Sequence, residues 1–466
     1  MKTYQDLVKI IESERDVDLL DFVNEAIREH MTSPEYASAW TANEYYCRRN
    51  VTISQYQKLL YTVTGRAVPD NYSANFKVRS NFMFFFVTQL KEHLLSNGAT
   101  WTNQNTEKRL GKDFTRRLKE AAKEAQIGGV SYGFMNYDHL EVFKVQEFVP
   151  FFDEENGALM AGIRFWQIDS KKPLRATLYT IDGITECIWR DGAGEILSER
   201  KPYKIKVRES VADGTVIYDG ENYPTFPIVP LWGINRQSEL EGRREKIDCF
   251  DLIESGFANT IDDASLMYWT LTNAGGMRDI DLVKFVERMK TVHAASLRGD
   301  QTAESHSVEP PYNGREVLLT RLRKELFDDF MGFDIDRVAS GSTVTAQINA
   351  SYIPLDYKAD EFEENIIDFI QGLLNILGID DDPTFTRSKV TNQQEQVSTI
   401  VTAGEYLSDD YKTRKILTIL GDGDQADDML KEMDAEDMQK ITVPQPNEQE
   451  EEGEQWTEGT NEPNRS

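Results

Sequence analysis

From Tyr4 to about Gln126 apolar residues return every three or four positions, the spacing that gathers them on one face of an α-helix. YQDLVKIIES, VDLLDFVNEAIREH and SPEYASAWTANEYYCRRN read as three helices, the third opened by Ser33 as N-cap with Pro34 in its first turn. ISQYQKLLYTV, NFKVRSNFMFFFVTQLKEHLL and TEKRLGKDFTRRLKEAAKEAQ continue the pattern. At Gly128 and Gly129 the period changes. SYGFMNY, EVFKVQEFVPFF, ALMAGIRFWQI, RATLYTI, TECIWR, YKIKVRES and TVIYDG alternate or are rich in β-branched and aromatic residues, and turns such as EENG and RDGAGE divide them. The stretch from about Val130 to Tyr218 therefore predicts a β-sheet or a pair of sheets, and YPTFPIVPLWGINRQ after it predicts an extended connector.

A long amphipathic helix comes next, with Phe250, Ile253, Phe257, Ile261, Ala264, Tyr268 and Leu271 at spacings of three and four, running at least through Asp262 and Asp263. It breaks near NAGG. DLVKFVERMK then reads as a short helix, TVHAASL as a strand and ESHSVEPPYNG as an extended piece, so a small αβ unit interrupts two helices. The second of these carries Val317, Leu318, Leu322, Leu326, Phe327 and Phe330 on one stripe. An uncharged run of small hydroxyl and amide residues, ASGSTVTAQINASY, separates it from a further helix with Phe362, Ile366, Phe369, Ile370, Leu373 and Leu377. STIVTAGEYLSDDYKTRKIL and ADDMLKEMDAEDMQK are helical again, and Thr442 to Ser466, with seven Glu and one Arg, reads as a disordered acidic tail.

Charge and chemistry narrow the picture. The net charge of -28 disfavours a protein that grips phosphate backbones, which requires Lys and Arg to displace condensed counterions. Cys47, Cys187 and Cys249 lie far apart without CxxC or paired His spacing, so neither a disulfide framework nor a zinc site is expected and a reducing compartment fits. The longest strongly apolar stretch, FMFFFV, is far short of the roughly 20 residues that span a bilayer. No Walker loop, GxGxxG, GxSxG or HExxH pattern occurs, which points away from an enzyme, and no cofactor is expected. Of two aspartate clusters, Asp422 with Asp424, Asp427 and Asp428 lacks EF-hand spacing, and Asp380 to Asp382, just before Pro383, is explained by helix termination and N-capping, so neither is expected to bind metal. Basic residues gather at Arg243, Arg244 and Lys246 and at Arg315, Arg321, Arg323 and Lys324, where i,i+4 pairing with acids on a solvated face competes with a role in facing nucleic acid.

Four blocks in order resemble the portal proteins of tailed bacteriophages, in the branch typical of siphophages of Gram-positive hosts. They are QIGGVSYGFMNYD to KVQEFVPFFDEENGALMAGIRFWQ, the proline exit FPIVPLWGINRQSELEG, FDLIESGFANTIDDASLMYWTLTNAGG, and GSTVTAQINASYIPLDYKADEFEENI. The last two are similar to the family's stem helix entering its clip and to its tunnel loop with the helix after it. The family's leucine-glycine-proline step is present only as HLLSNGAT.

The resemblance implies an α+β, mainly α, subunit. Residues 1–236 would form a wing, helical first and β from 128 to 236; 237–266 and 314–331 a two-helix stem; 267–313 an αβ clip; 332–351 a tunnel loop; 352–379 a long return helix of the wing; 380–440 a helical crown; and 441–466 the acidic tail. It further implies a ring of usually twelve copies at one capsid vertex of the virion, assembled in the host cytoplasm. Duplex DNA would pass through the ring, which would meet the large terminase, a head-completion adaptor and the major capsid and scaffolding proteins, and no membrane. Ser340, Gly341, Ser342, Thr343, Val344, Thr345, Gln347 and Asn349 would line the channel, guiding DNA by weak, exchangeable hydrogen bonds rather than by a salt bridge at every step of about 1.7 Å of helix axis. Arg243, Arg244, Lys246, Arg321, Arg323 and Lys324 are candidate channel-facing cations, and Met277, Arg278, Asp279, Lys284, Glu287 and Arg288 a candidate docking surface on the clip. Leu252, Met267 and Trp269, off the main stripe of the long helix, are candidates for contact with a neighbouring copy. A ring-forming scaffold without DNA conduction and a metal-dependent nucleic-acid enzyme built on the aspartates are the alternatives.

Overall fold

The computed structural model describes residues 2–61, 65–70, 75–190, 192–209, 216–264, 268–272, 284, 302–306, 312–336, 345–389, 393–421, 423 and 426–431. The chain divides into two units, Met1–Thr343 with Asn349–Lys389, and Val344–Ile348 with Val390–Ser466.

The first unit opens with helices α1 (Tyr4–Glu12), α2 (Asp16–Met31) and α3 (Pro34–Tyr46) and the short α4 (Val51–Gln55). Their starts are encoded locally. Thr3 and Asp6 cap α1 reciprocally, and the Ser33 side chain accepts from the Tyr36 N–H one residue ahead of Pro34. The helix expected over 53–63 stops at Gln55, because LLY pairs as strand β1 (Leu59–Tyr61) with β2 (Ala67–Pro69), a choice that short apolar runs leave open. Helix α5 (Phe82–Leu95) starts only after residues 75–81, which belong to neither helix nor strand. Strand β3 (Ala99–Thr100) and helices α6 (Gln104–Leu110) and α7 (Phe114–Gly128) follow. The single helix expected from Thr106 to Gln126 is therefore two. At the break Gly111 has φ +89°, and a Cβ there would run into the Asp138 carbonyl, so only glycine fits.

The β region folds where the alternation predicts it. Strands β4 (Val130–Asn136) and β5 (His139–Lys144) join β13 (Ile228–Trp232) in an antiparallel sheet of order β13-β4-β5. Strands β6 (Phe148–Phe152), β7 (Leu159–Trp166), β8 (Leu174–Thr180), β9 (Gly183–Arg190) and β10 (Ala193–Lys201) form a five-stranded antiparallel meander. Strands β11 (Lys204–Glu209) and β12 (Val216–Glu221) make a hairpin. The supposed connector thus contains a strand, since Ile228 to Trp232 pair with Phe134 to Val130. Pro230 is tolerated because β13 lies at the sheet edge. One core sits between the meander and α1–α2, with Phe22, Val23, Ile27, Val149, Phe151 and Ile163 buried together. A second gathers Tyr45, Phe82, Phe86, Leu326, Phe327 and Phe330.

His30 of α2 packs edge-on against Phe165 of the first core. It is 3 % exposed, bonds the Val145 carbonyl through Nε2 at 2.6 Å, and leaves Nδ1 without a hydrogen-bond partner among the described residues. Burial pushes its pKa below the usual histidine value. Below about pH 6.5 the unfolded chain takes up a proton that the folded chain refuses. Stability is therefore expected to fall as the pH drops from 7 to 5, and chemical denaturation of His30→Gln should show a smaller loss over the same range than the parent.

Helix α8 (Arg244–Ala264) and helix α9 (Tyr312–Asp329) flank strands β14 (Tyr268–Thr272) and β15 (Thr302–His306), which pair antiparallel. The long helix consequently ends before Tyr268 and Leu271, both of which belong to β14. Helix α10 (Thr345–Leu377) and strand β16 (Thr384–Phe385) complete the described part of this stretch. In the second unit α11 (Gln393–Thr402) and α12 (Asp409–Leu420) are the main elements, α12 being capped by Ser408. No helix among the described residues is long and apolar enough to cross a membrane.

Candidate functional site

Helices α8 and α9 form an antiparallel pair. Arg315 near the start of α9 donates to the Gly256 carbonyl at 3.2 Å and Thr260 Oγ1 at 2.7 Å, while Lys246 near the start of α8 reaches Asp329 at 2.6 Å and Glu325 at 3.6 Å. Phe257 meets Tyr312 with ring centroids 5.7 Å apart. The apolar stripe expected on α8 is nonetheless only half-buried at Phe250, Ile253 and Phe257, and the fully buried stripe is polar: Asp251, Ser255 and Asn259. These three residues, one turn apart, act as a substitute sheet edge for Phe76, Val78 and Ser80. Asn259 Oδ1 accepts from the Phe76 N–H at 2.6 Å, Ser255 Oγ from the Val78 N–H at 2.9 Å and Asp251 from the Ser80 N–H at 2.9 Å. The register works because two strand residues advance about 6.8 Å and one helical turn about 5.4–6 Å. Burial pushes the Asp251 carboxyl up, against the hydrogen bonds that favour its charged form.

Where α8, α9 and α10 meet, the chain buries charge. Lys358 and Glu239 are each 5 % exposed and 2.6 Å apart, and Lys358 Nζ also donates to the Phe330 carbonyl at 3.0 Å. Arg243 donates to the Asp329 and Glu239 carbonyls, both at 2.9 Å, with its guanidinium 4.9 Å from the Phe330 ring centroid. Phe330 stacks on Phe86 at 4.3 Å. Just beyond, Phe333 stacks on Tyr352 at 4.0 Å, and His93 covers the same tyrosine at 5.6 Å while bonding Asp356 and the Ser388 carbonyl. Met331 between them has φ +52°, an unusual conformation for a side chain of its size. Phe330 and Phe333 just after α9, and Tyr352 within α10, are thus packed on α5, and Phe333 and Tyr352 on each other. Sequence reasoning missed Lys358, although a signal exists: it falls three residues after Leu355 and four before Phe362, on the buried face of α10.

The predicted site residues are placed as follows. Ser340, Gly341, Ser342, Thr343 and Val344 lie outside the described residues. Thr345, Gln347 and Asn349 do not belong to a loop; helix α10 begins at Thr345, ahead of the expected start at residue 352, because no Pro or Gly interrupts TAQINASYI and the first proline, Pro354, is carried inside the helix. Five of the six candidate cations are engaged by their own chain: Arg243 and Lys246 as above, Arg244 with Asp248 at 3.6 Å, Arg321 with Glu325 at 2.8 Å, and Arg323 with Asp336 at 2.7 Å. Lys324 is exposed and has no ion pair among the described residues. Lys284 is exposed; Met277, Arg278, Asp279, Glu287 and Arg288 lie outside the described residues, as does Met267. Leu252 is half-buried on α8 and Trp269 lies in β14. Asp381 caps α6 from a distance, accepting from the Thr102 and Asn103 N–H groups at 3.1 and 3.2 Å and from Thr106 Oγ1 at 2.5 Å, and these bonds hold its carboxyl below the usual range. Asp427 pairs with Arg414 and Asp428 with Lys431. Among the described residues no three His, Cys, Asp or Glu side chains converge as a metal site.

The family model described as phage portal protein, SPP1 Gp6-like, matches residues 35–441. The chain belongs to the phage portal protein family. A portal protein of Clostridium phage phiCD119 is 25 % identical over 315 residues, covering 61 % of this portal and 67 % of that protein. Among solved structures, a chain in the virion of a native gene transfer agent particle matches with TM-score 0.43 and 10 % identity over 73 % of this portal and 89 % of that chain. An HK97-family phage portal protein from Corynebacterium diphtheriae matches with TM-score 0.31 and 12 % identity over 65 % and 91 %. A portal is a structural component of the virion capsid, assembled as a ring in the phage head.

Proposed function

We propose that this portal forms a channel at one capsid vertex through which duplex DNA is packaged and later ejected, and that the segment between α9 and α10 borders that channel. The observation that carries this reading is the packing on either side of that segment, of Phe330 and Phe333 just after α9 and of Tyr352 and Lys358 within α10. Between these anchors the uncharged run Ala339 to Val344 carries the hydroxyls of Ser340, Ser342 and Thr343 as exchangeable hydrogen-bonding groups, which suits passage of a polyanion. The carboxylates that occupy Arg243, Arg244, Lys246, Arg321 and Arg323 support the same view, since they leave little free positive charge on this stem to trap phosphate. The large terminase, a head-completion adaptor and the major capsid and scaffolding proteins are the proposed partners, with residues 267–313 as the docking end.

The test is a packaging assay with a chain lacking Ser340 to Thr345. Rings of unchanged mass that no longer package DNA are the expected result. Twelve copies of 53.4 kDa would weigh about 640 kDa. Normal packaging by the deleted form would remove the guiding role.

A further inference from the structure

Residues 47–81 carry six basic residues and one acid in a chain whose net charge is -28. They also expose apolar surface: Tyr56 at 44 %, Leu59 at 51 % and Phe76 at 56 %. Tyr56 lies beside α8, with Leu59 three residues further along the chain and the Phe76 backbone held by the same helix. Tyr56 and Lys58 wall a cleft of about 170 Å³ with Leu252 and Asn259, Asn259 holds the Phe76 backbone, and Lys77 Nζ reaches the Ser54 carbonyl. Arg66 and Arg79 are exposed around them.

Helix α10 is the mirror image in charge, with six acids and one base, Lys358, which is buried. Its exposed face runs Ile353, Tyr357, Glu361, Glu364, Asp368 at steps of three and four residues, so the five lie on one stripe. Ile353 is 45 % and Tyr357 66 % exposed, and the three acids have no ion pair among the described residues. Asp356, Asp360 and Glu363, on the neighbouring face, are already held by Arg387.

We propose that in the assembled ring, on which this inference rests, the basic and apolar flank around Tyr56, Leu59 and Phe76 of one copy docks on the Ile353 to Asp368 stripe of the next. A ring of identical subunits joins unlike faces of neighbouring copies, and strongly acidic copies repel wherever like faces meet. A positive face against a negative one, each with exposed aliphatic and aromatic groups for an apolar centre, meets both requirements. Duplex DNA is the other polyanion that positive charge would suit, but exposed Leu59 and Phe76 have nothing to contribute to a phosphate backbone.

Charge exchange tests the docking. Arg66→Glu with Arg79→Glu, and separately Glu361→Lys with Glu364→Lys, change exposed side chains of the full chain, and unaltered melting curves would establish that each variant folds. Sedimentation across a concentration series is expected to show each double variant assembling only at about tenfold or higher concentration than the parent, an effect that grows at low salt, and the fourfold variant recovering most of the loss. Parent-like assembly of both double variants, or no recovery in the fourfold one, overturns the docking. Unchanged assembly with weakened duplex binding by the arginine variant assigns that flank to DNA and also overturns it. Failure of the parent to form any ring is a separate outcome, which removes the ring itself.

Discussion

Replacing Lys358 by methionine is expected to destabilise the chain by about 3–5 kcal/mol, because it strands the Glu239 carboxylate in a site from which water is excluded. The pair sits 5 % exposed on both sides, and burial already pushes the lysine pKa down, so the ammonium is retained by what it touches. Those contacts are Glu239 at 2.6 Å and the Phe330 carbonyl at 3.0 Å, the latter at the very end of α9. Removing the cation leaves the Phe330 carbonyl without its donor and Glu239 with Arg243 alone, 3.6 Å away and hydrogen-bonded to the Asp329 and Glu239 carbonyls. Chemical denaturation at fixed protein concentration measures the loss, since assembly is coupled to unfolding. The double variant Lys358→Met with Glu239→Leu separates the value of the pair from the cost of breaking it. It should recover most of the stability, as apolar replacements of whole buried pairs do. A single variant that loses less than about 1 kcal/mol would mean that water reaches Glu239 and that the junction is not sealed.

The elements most legible in the sequence were those whose pattern is settled by their own side chains. Ser33 with Pro34 marked the start of α3, and alternation or enrichment in β-branched and aromatic residues marked β7, β8 and β9. Legibility failed where a distant segment supplied the backbone's partners. Residues 75–81 carry an apolar pattern that reads as the first turns of α5, yet Asp251, Ser255 and Asn259, nearly two hundred positions away, offer their N–H groups a ladder that competes with the helix. The same three residues explain why the α8 stripe was misjudged: periodicity locates a face, but a buried face can be polar when every donor on it finds an acceptor. Gly111 looked like one glycine in a helix because its obstruction, the Asp138 carbonyl, is invisible in a linear reading. Of the candidate site, the two flanking helices were legible, whereas the carboxylates that occupy the basic residues were only partly so. The i,i+4 partners Asp248 and Glu325 are visible in sequence; Asp329 and Asp336 are reached through tertiary structure.

Phe369→Ala is expected to cost about 3–5 kcal/mol, as the loss of a fully buried aromatic side chain does when the surroundings cannot collapse. Phe369 is 1 % exposed and lies against Gly133 of β4, where the ring takes the place that a Cβ would otherwise hold. One turn along α10, Gly372 comes so near Val229 of β13 that an added Cβ would sit 2.8 Å from its Cγ1. A knob into a glycine on the sheet and a glycine on the helix under a valine from the sheet fix both the height and the rotation of α10 on the β13-β4-β5 sheet. The cavity left by alanine cannot close, since Leu140 and Phe143 on the neighbouring strand are themselves fully buried. Because the other end of α10 holds Tyr352 and Lys358, loosening this seat should be felt along the helix, and amide hydrogen exchange in α10 should rise before that in the β6–β10 meander. Gly133→Val, which fills the same space from the sheet side, should displace the ring and destabilise by about 1–3 kcal/mol. Joining it to Phe369→Leu should recover part of that cost, whereas strictly additive losses in the pair would show that ring and glycine do not share one space.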